Sequence, residues 1–309
     1  MSSFRVIVIG LGVQGAKRRK HAGKDYVASV DPYQKTADFL SVKDVPLGDY
    51  DAALVCVPDS PKVELLKYLL KNGKHILVEK PLWSESIEAF SELEQLAQGT
   101  GAICYTAYNH RFEPHFVRMK KLIASGELGK IYSCRMFYGN GTARLVRESE
   151  WRDKGSGVLP DLGSHLLDTC AYWFGDRLGH FKLSAANAFE NNAPDHVIIS
   201  SEGQDTRIEL EMTLLMWRNH FTCDVLAERG TAHIESLCKW GPSVFTHRTR
   251  VLPSGRPPEV SEVLVQEDPT WAAEYLHFKS LCAESKPSNL SHDVWLQETL
   301  GRLSDEVLR

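Results

Sequence analysis

The sequence has no long basic stripe, no apolar run long enough to cross a membrane and no cysteines in a CxxC arrangement. Its 36 Lys+Arg and 40 Asp+Glu residues give a formal net charge of −4 with both signs interspersed. That balance argues against nucleic acid or an anionic membrane as a partner. The first apolar stretch, "VIVIGLGV", is brief, carries glycines and is followed rather than preceded by the cations Lys17 to Lys20. It reads as neither a signal peptide nor a membrane span. The seven cysteines, at 56, 104, 134, 170, 223, 238 and 282, are scattered and odd in number. A reduced cytoplasmic protein without a cysteine zinc site fits them best. Internal repeats, low-complexity tracts and a flexible interdomain linker are also missing.

What is present is core material: 43% of 309 residues are hydrophobic. Single cores stop growing near ~250–300 residues, so two domains are expected. Over the first hundred residues, short apolar runs ("RVIVIG", "YVASVD", "AALVCVP", "HILVEK", "AICYTAY") alternate with helix-length amphipathic segments. Such alternation predicts βαβ units around a parallel sheet buried on both faces. From about Lys130, longer segments mixing polar and apolar residues ("KIYSCRMFYG", "TRIELEMTLLMW", "HFTCDVLA") predict a mainly antiparallel sheet with one wetter face. A helix within "LPDLGSHLLDTCAYWFG" interrupts them, and helices near Trp271 to Glu284 and Asp293 to Val307 close the chain. "ENNAPD" and "LPSGRPPE" read as surface loops. The expected fold is α/β: a doubly wound parallel sheet over 1–115 and an α+β domain with an open, mostly antiparallel sheet over 116–309. A C-terminal helix is expected to return to the first domain, with a ligand cleft between the two.

"GLGVQG" puts Gly10, Gly12 and Gly15 directly after the first strand and at the opening of the first helix, the context a dinucleotide fingerprint requires. Gly10 permits the turn, Gly12 lets a pyrophosphate approach the backbone, and Gly15 lets the helix pack closely. Asp31 ends the second strand, where a carboxylate can accept hydrogen bonds from a ribose but would repel a 2′-phosphate. NAD is therefore expected in preference to NADP. Val13 and Gln14 in the loop, Val57 and Pro58 after the third strand, and Glu79 and Lys80 complete the expected cofactor-binding set. Lys17, Arg18 and Arg19 read as a solvated face.

"HILVEKPL" closes an apolar strand with Glu79, Lys80 and Pro81. At the carboxyl edge of a parallel sheet, Lys80 could donate to a substrate hydroxyl and stabilise an alkoxide-like oxygen; an ordinary loop with a solvated ion pair is equally open. Glu79 faces the other side of the strand and reads as an anchor. In "GVLPDLGSHLLD", Asp161 and His165 are four apart on one helix face, an arrangement suited to proton exchange, or simply a helix-start Asp with a satisfied histidine. Asp168 follows, but no second histidine is near in sequence, so no metal site is expected. Arg111, Arg144 and Arg152 are candidate substrate contacts. Arg144, Arg147 and Arg152 could grip a carboxylate or diphosphate, with mutual surface pairing to the interleaved Glu148, Glu150 and Asp153 as the rival reading.

These segments, with "AYNHRFEPHF", "SGELGKI", "WRDKGSG", "YWFG" and "AERGTAHIES", resemble in order the glucose–fructose oxidoreductase, inositol dehydrogenase and rhizopine catabolism (Gfo/Idh/MocA) family. The resemblance implies an N-terminal Rossmann domain and a C-terminal domain whose open sheet often builds homodimers or homotetramers. It further implies hydride exchange between a nicotinamide and a hydroxyl of a sugar, cyclitol or nucleotide sugar. The family's catalytic lysine, aspartate and histidine fall on Lys80, Asp161 and His165. Two alternatives remain at this point: an NAD-using glycosidase or lyase that oxidises its substrate transiently, and a non-catalytic NAD-binding regulator.

Overall fold

A computed structural model describes residues 4–149, 152–175, 178–202, 206–284, 286 and 288–309. The chain forms two compact units, Met1–Asn109 with Thr270–Gln297, and His110–Pro269 with Glu298–Arg309.

The first unit is built on β1 (Val6–Ile9), β2 (Tyr26–Val30), β3 (Ala52–Val55), β4 (His75–Glu79) and β5 (Cys104–Ala107), interleaved with α1 (Val13–Ala22), α2 (Lys62–Lys71) and α3 (Glu88–Thr100). The strand order is β2-β1-β3-β4-β5, with every neighbour parallel. The order of strand addition reverses across the sheet between β1 and β3, the point at which open α/β sheets bind ligands beyond their strands' carboxyl ends. The unbroken apolar runs have a simple cause. Ile7, Ile9, Ala53, Val55, Ile76 and Val78 pack with Leu66, Leu69 and Leu70 of α2 and Phe90 and Leu93 of α3. Val6, Val8, Ala52, Leu54 and Leu77, pointing the other way, pack with Ala22 and with Tyr275 and Phe278. A strand covered on both faces has no use for alternation. Helix α3 begins at Glu88; ahead of it, Ser84 exchanges two hydrogen bonds with the Gln297 side chain.

The second unit carries α4 (Pro114–Ser125), β6 (Ile131–Gly139), α5 (Ala143–Arg147), α6 (Ser164–Phe174) and β7 (His180–Asn187). It continues through β8 (His196–Glu202), β9 (Arg207–Thr213), β10 (His220–Ala227), β11 (Gly230–Glu235), β12 (Ser243–Thr249) and β13 (Glu259–Leu264). The eight strands run β13-β12-β11-β10-β6-β9-β8-β7, all antiparallel except the β6–β9 pair. Register lines up Phe245, Ile234, Cys223, Met136, Leu210 and Ile199 across six strands, each of them buried. The opposite face carries charge: Arg135 reaches Glu209 and Glu211, and Asp224 meets His233 at 2.6 Å. Helix α6 sits on the apolar face, its Trp173 Nε1 donating to the Phe116 carbonyl at 3.0 Å. Two further helices, α7 (Thr270–Glu284) and α8 (Ser291–Val307), follow; Tyr275 and Phe278 of α7 are those that cover the first sheet.

"ENNAPD" is less superficial than its composition suggests. Asp195 is fully buried and accepts from the amides of Phe189, Glu190 and Asn191, while Asp153 accepts from those of Asn192 and Ala193. The carboxylates take up backbone donors that no strand satisfies, which lets the loop pack inward. Gly157, at φ +57°, lies against it: a Cβ there would sit 2.0 Å from the Pro194 carbonyl oxygen. Among the described residues no helix is long and apolar enough to cross a membrane.

Candidate active site

In the first unit, Gly10 adopts φ +90°, and a Cβ there would lie 2.5 Å from the Cys56 carbonyl oxygen. A Cβ on Gly15 would lie 1.8 Å from the Gly10 oxygen, so α1 crosses the loop closely enough to exclude any side chain. Gly12, the N-cap of α1, is different: a Cβ there meets nothing within 4 Å. Val13 and Gln14 are exposed beside it, Val57 packs against Gly10, and Pro58 is exposed.

Asp31 is 8% exposed and binds the loop directly. One oxygen accepts from the Leu11 amide at 2.8 Å, the other from the amides of Tyr33 and Gln34 at 2.8 and 3.0 Å. Burial alone would raise its pKa, but the three amides hold the carboxyl below its ordinary value. A carboxylate has about four lone-pair sites, so capacity remains for ribose hydroxyls.

The solvated face expected for Lys17 to Arg19 needs correction at Arg18, which is 2% exposed. Its guanidinium donates to Glu79 at 2.6 Å and Glu274 at 2.7 Å and stacks over Trp271 at 4.3 Å. Helical spacing turns Arg18 inward where its two neighbours face out, and a buried guanidinium needs carboxylate partners. Glu79 is thus anchored from behind. Lys80 follows at the strand end, half-buried, with a cis bond to Pro81. Lys62, itself 3% exposed, reaches the Pro81 carbonyl at 3.4 Å.

In the second unit, the chain enters α6 through a π-helical turn, Leu159–Gly163. Such wide turns recur at functional sites. Buried Leu159 and Leu162 pin the turn, and Gly163 sits where a Cβ would press on Met212 of β9. Asp161 is carried on this turn and accepts from Arg152 Nη2 at 3.3 Å. His165 follows in the first turn of α6. Arg152 meets Asp161, while Asp153 holds the 189–195 loop and also feels the charge of Arg147. Glu150 lies outside the described residues. Arg144 is exposed on α5, whereas Arg111 grips Asp168 through two nitrogens at 3.0 and 2.5 Å.

Several residues around His165 escape sequence reasoning. His110 stacks on it, ring centroids 4.1 Å apart and planes 19° from parallel. The Tyr138 ring lies 6.1 Å from His165 and 5.6 Å from His110. Lys239 Nζ donates to Tyr138 Oη at 3.3 Å and lies within hydrogen-bond distance of His110 Nε2, at 3.4 Å. Lys239 keeps an accessible surface, yet enough protein surrounds it for burial to lower its pKa against the opposing pull of Asp268, Glu113 and Asp161. Burial, helped by the Asp161 charge, raises the Tyr138 pKa. Glu113 is also pushed up by burial, while Cys238 donates to it from Sγ and from its amide. "NHRF" pointed to this region through Arg111; nothing in the isolated "LCKWG" signals Lys239. Among the described residues, no group of three or more His, Cys, Asp or Glu side chains is placed to hold a metal ion.

Residues 4–108 match the family model for an oxidoreductase family with an NAD-binding Rossmann fold, and residues 116–233 match that for the GFO/IDH/MocA C-terminal domain. An uncharacterized oxidoreductase of Schizosaccharomyces pombe, C115.03, is 34% identical over 42% of this chain and 36% of its own. Two Bacillus subtilis proteins, scyllo-inositol 2-dehydrogenases named for NADP(+) and for NAD(+), are each 29% identical. Those matches cover 40% and 50% of this chain and 35% and 43% of theirs. The matched stretches therefore span less than half the length of these curated relatives. A solved levoglucosan dehydrogenase in complex with NADH and L-sorbose shares the fold at TM-score 0.83 and 17% identity, over 99% of this chain and 98% of that one.

Proposed function

The chain belongs to the Gfo/Idh/MocA family of oxidoreductases, and from that premise we propose an NAD-dependent dehydrogenase acting on a secondary hydroxyl of a sugar or cyclitol. The observation that carries this reading is the glycine loop: Gly12 opens onto space at the N-terminus of α1, with Asp31 tied to Leu11 beside it. Those residues fit a dinucleotide. The first amides of α1 would hold the pyrophosphate, Asp31 the adenosine ribose, and Val57, Pro58 and Glu79 would line the remainder. When bound, the nicotinamide supplies the hydride acceptor or donor.

The chain's own residues handle the proton and the charge. Lys80 donates a hydrogen bond to the substrate oxygen and stabilises it as negative charge grows there. His165 takes or returns the hydroxyl proton; its Nδ1 is buried, which leaves the exchange to Nε2. Asp161 favours the charged imidazole. Arg152 and Arg144 are the proposed substrate contacts, and Arg111 supports α6 through Asp168. The carbohydrate class draws support from the inositol and levoglucosan dehydrogenases named above. The same reading places the protein in the cytoplasm, in keeping with seven free thiols, as a homodimer or homotetramer.

Titrating NADH and NADPH against the protein tests the cofactor. NADH should bind about tenfold more tightly or better, because a 2′-phosphate would meet the Asp31 carboxylate; tighter NADPH binding would overturn the preference. A thermal-shift screen of sugars and cyclitols with NAD present should then find ligands that raise Tm. With such a substrate, NADH should accumulate in an absorbance assay, whereas a transient oxidation would leave none.

The glycines separate structure from binding. Gly15→Ala forces α1 away from β1 and should cost roughly 1–3 kcal/mol of stability. Gly12→Ala should leave Tm nearly unchanged while weakening NADH, since its new methyl occupies only the open space expected for the pyrophosphate.

A further inference from the structure

We propose that Lys239 is a positioning residue that keeps His110 neutral, with its proton on Nδ1, so that His165 is the only member of the stacked pair to take up a proton. The inference rests on the reading of His165 as the group that exchanges the hydroxyl proton.

An ammonium can only donate. At 3.4 Å from His110 Nε2 it requires a lone pair there, and the ring proton must then be on Nδ1. Its second acceptor, Tyr138 Oη at 3.3 Å, belongs to a phenol that burial keeps un-ionised. Among the described residues, Lys239 is hydrogen-bonded to these two groups and to no carboxylate. Asp268, Glu113 and Asp161 act on it at longer range and help to retain its charge, with Cys238 adjacent. The Lys239 ammonium also lies over the Trp240 ring at 4.7 Å, a contact that favours the cation.

The consequence passes through the stack. With ring centroids 4.1 Å apart, two imidazolium ions would repel, so the pair holds one proton readily and a second only at a cost. Protonating His110 would break the Lys239 hydrogen bond and set two cations in contact. Protonating His165 does neither, and Asp161 stands one turn earlier in the same helical segment. His110 also faces Phe116 edge-on at 5.9 Å and Tyr138 at 5.6 Å. A neutral, fixed imidazole on one face of His165 then serves as a polarisable surface for the imidazolium formed during turnover.

The test is a two-bond 1H–15N titration of the histidines in the full chain without substrate, assigned with His110→Gln and His165→Asn. In the wild type, His110 should show the Nδ1–H tautomer from about pH 8 down to about pH 6, below the ordinary histidine midpoint, while His165 titrates. In Lys239→Met, His110 should begin to titrate, and kcat should fall about tenfold with NADH affinity unchanged. Lys239→Arg should restore the tautomer and most of kcat.

A wild-type His110 in the Nε2–H form, or protonated at neutral pH, overturns the proposal. So does a Lys239→Met protein whose His110 signals are unchanged, even if substrate KM rises, because Lys239 would then be a substrate contact only. The histidine spectra need no turnover, so they can fail while His165 remains the proton-exchanging group. Conversely, full activity in His165→Asn would remove that role without altering the His110 spectra.

Discussion

Replacing His165 with asparagine is expected to lower kcat by about 10²–10⁴-fold, the range over which a positioned acid–base group contributes, with little change in NADH affinity. The asymmetry follows from placement. The glycine loop and Asp31, which would hold the dinucleotide, belong to the first unit and owe nothing to α6. His165 sits where the π-helical turn becomes α6, on a helix anchored by Leu166, Leu167, Cys170 and Trp173, so asparagine should not unfold it. Lys80→Met should produce a loss of the same order, because the hydrogen bond it offers is strongest when the substrate oxygen carries charge. Single-turnover measurements with NAD and a substrate from the thermal screen would show both losses in the chemical step. If the His165→Asn and Lys80→Met proteins turned over at the wild-type rate, the assigned roles would be wrong.

Arg18→Met should be the most destabilising single change in the first unit. It leaves Glu79 and Glu274 without their shared cation, and Glu274 is fully buried. Removing one partner of such a buried set costs roughly 3–5 kcal/mol, which for a unit of this size lowers Tm by on the order of 10 °C. The change also releases Glu79 immediately before Lys80, so activity should fall beyond what stability explains, measured well below the new Tm. Thermal unfolding at several pH values adds a check on sign. Without the Arg18 guanidinium the fully buried Glu274 carboxylate is driven toward its neutral form, so the variant's deficit should shrink as pH falls into the carboxylate range. A deficit that grew with acidification would mean that the lost energy is packing against Trp271 rather than charge. Arg18→Lys should recover only part of the loss, since an ammonium cannot present the guanidinium's several donors to both carboxylates at once.

The two substitutions mark what could and could not be read from the chain. His165 and Asp161 were legible because a four-residue spacing is a helix-face signal, and Gly10, Gly12 and Gly15 because a tight turn against a strand demands them at those intervals. The parallel sheet was legible for the same reason: strands covered on both faces read as unbroken apolar runs. Arg18 was not. In a run of four cations it looked like solvent-facing charge, and its partners lie 61 and 256 residues away. The burial of Asp195 was equally hidden, because the amides it satisfies belong to a loop whose composition reads as exposed.

Local sequence therefore determined the order of elements, the glycine loop, the strand-end Glu79–Lys80–Pro81 and the four-residue spacing of Asp161 and His165. Each rests on periodicity or backbone constraint acting over a few residues. Tertiary structure alone decided that Arg18 supports Glu79, that His110 stacks on His165, and that Lys239, 129 residues further along, meets His110. Those contacts depend on which side chains the sheet and helices bring together after burial, and the desolvation of a charge leaves no periodic trace in the sequence.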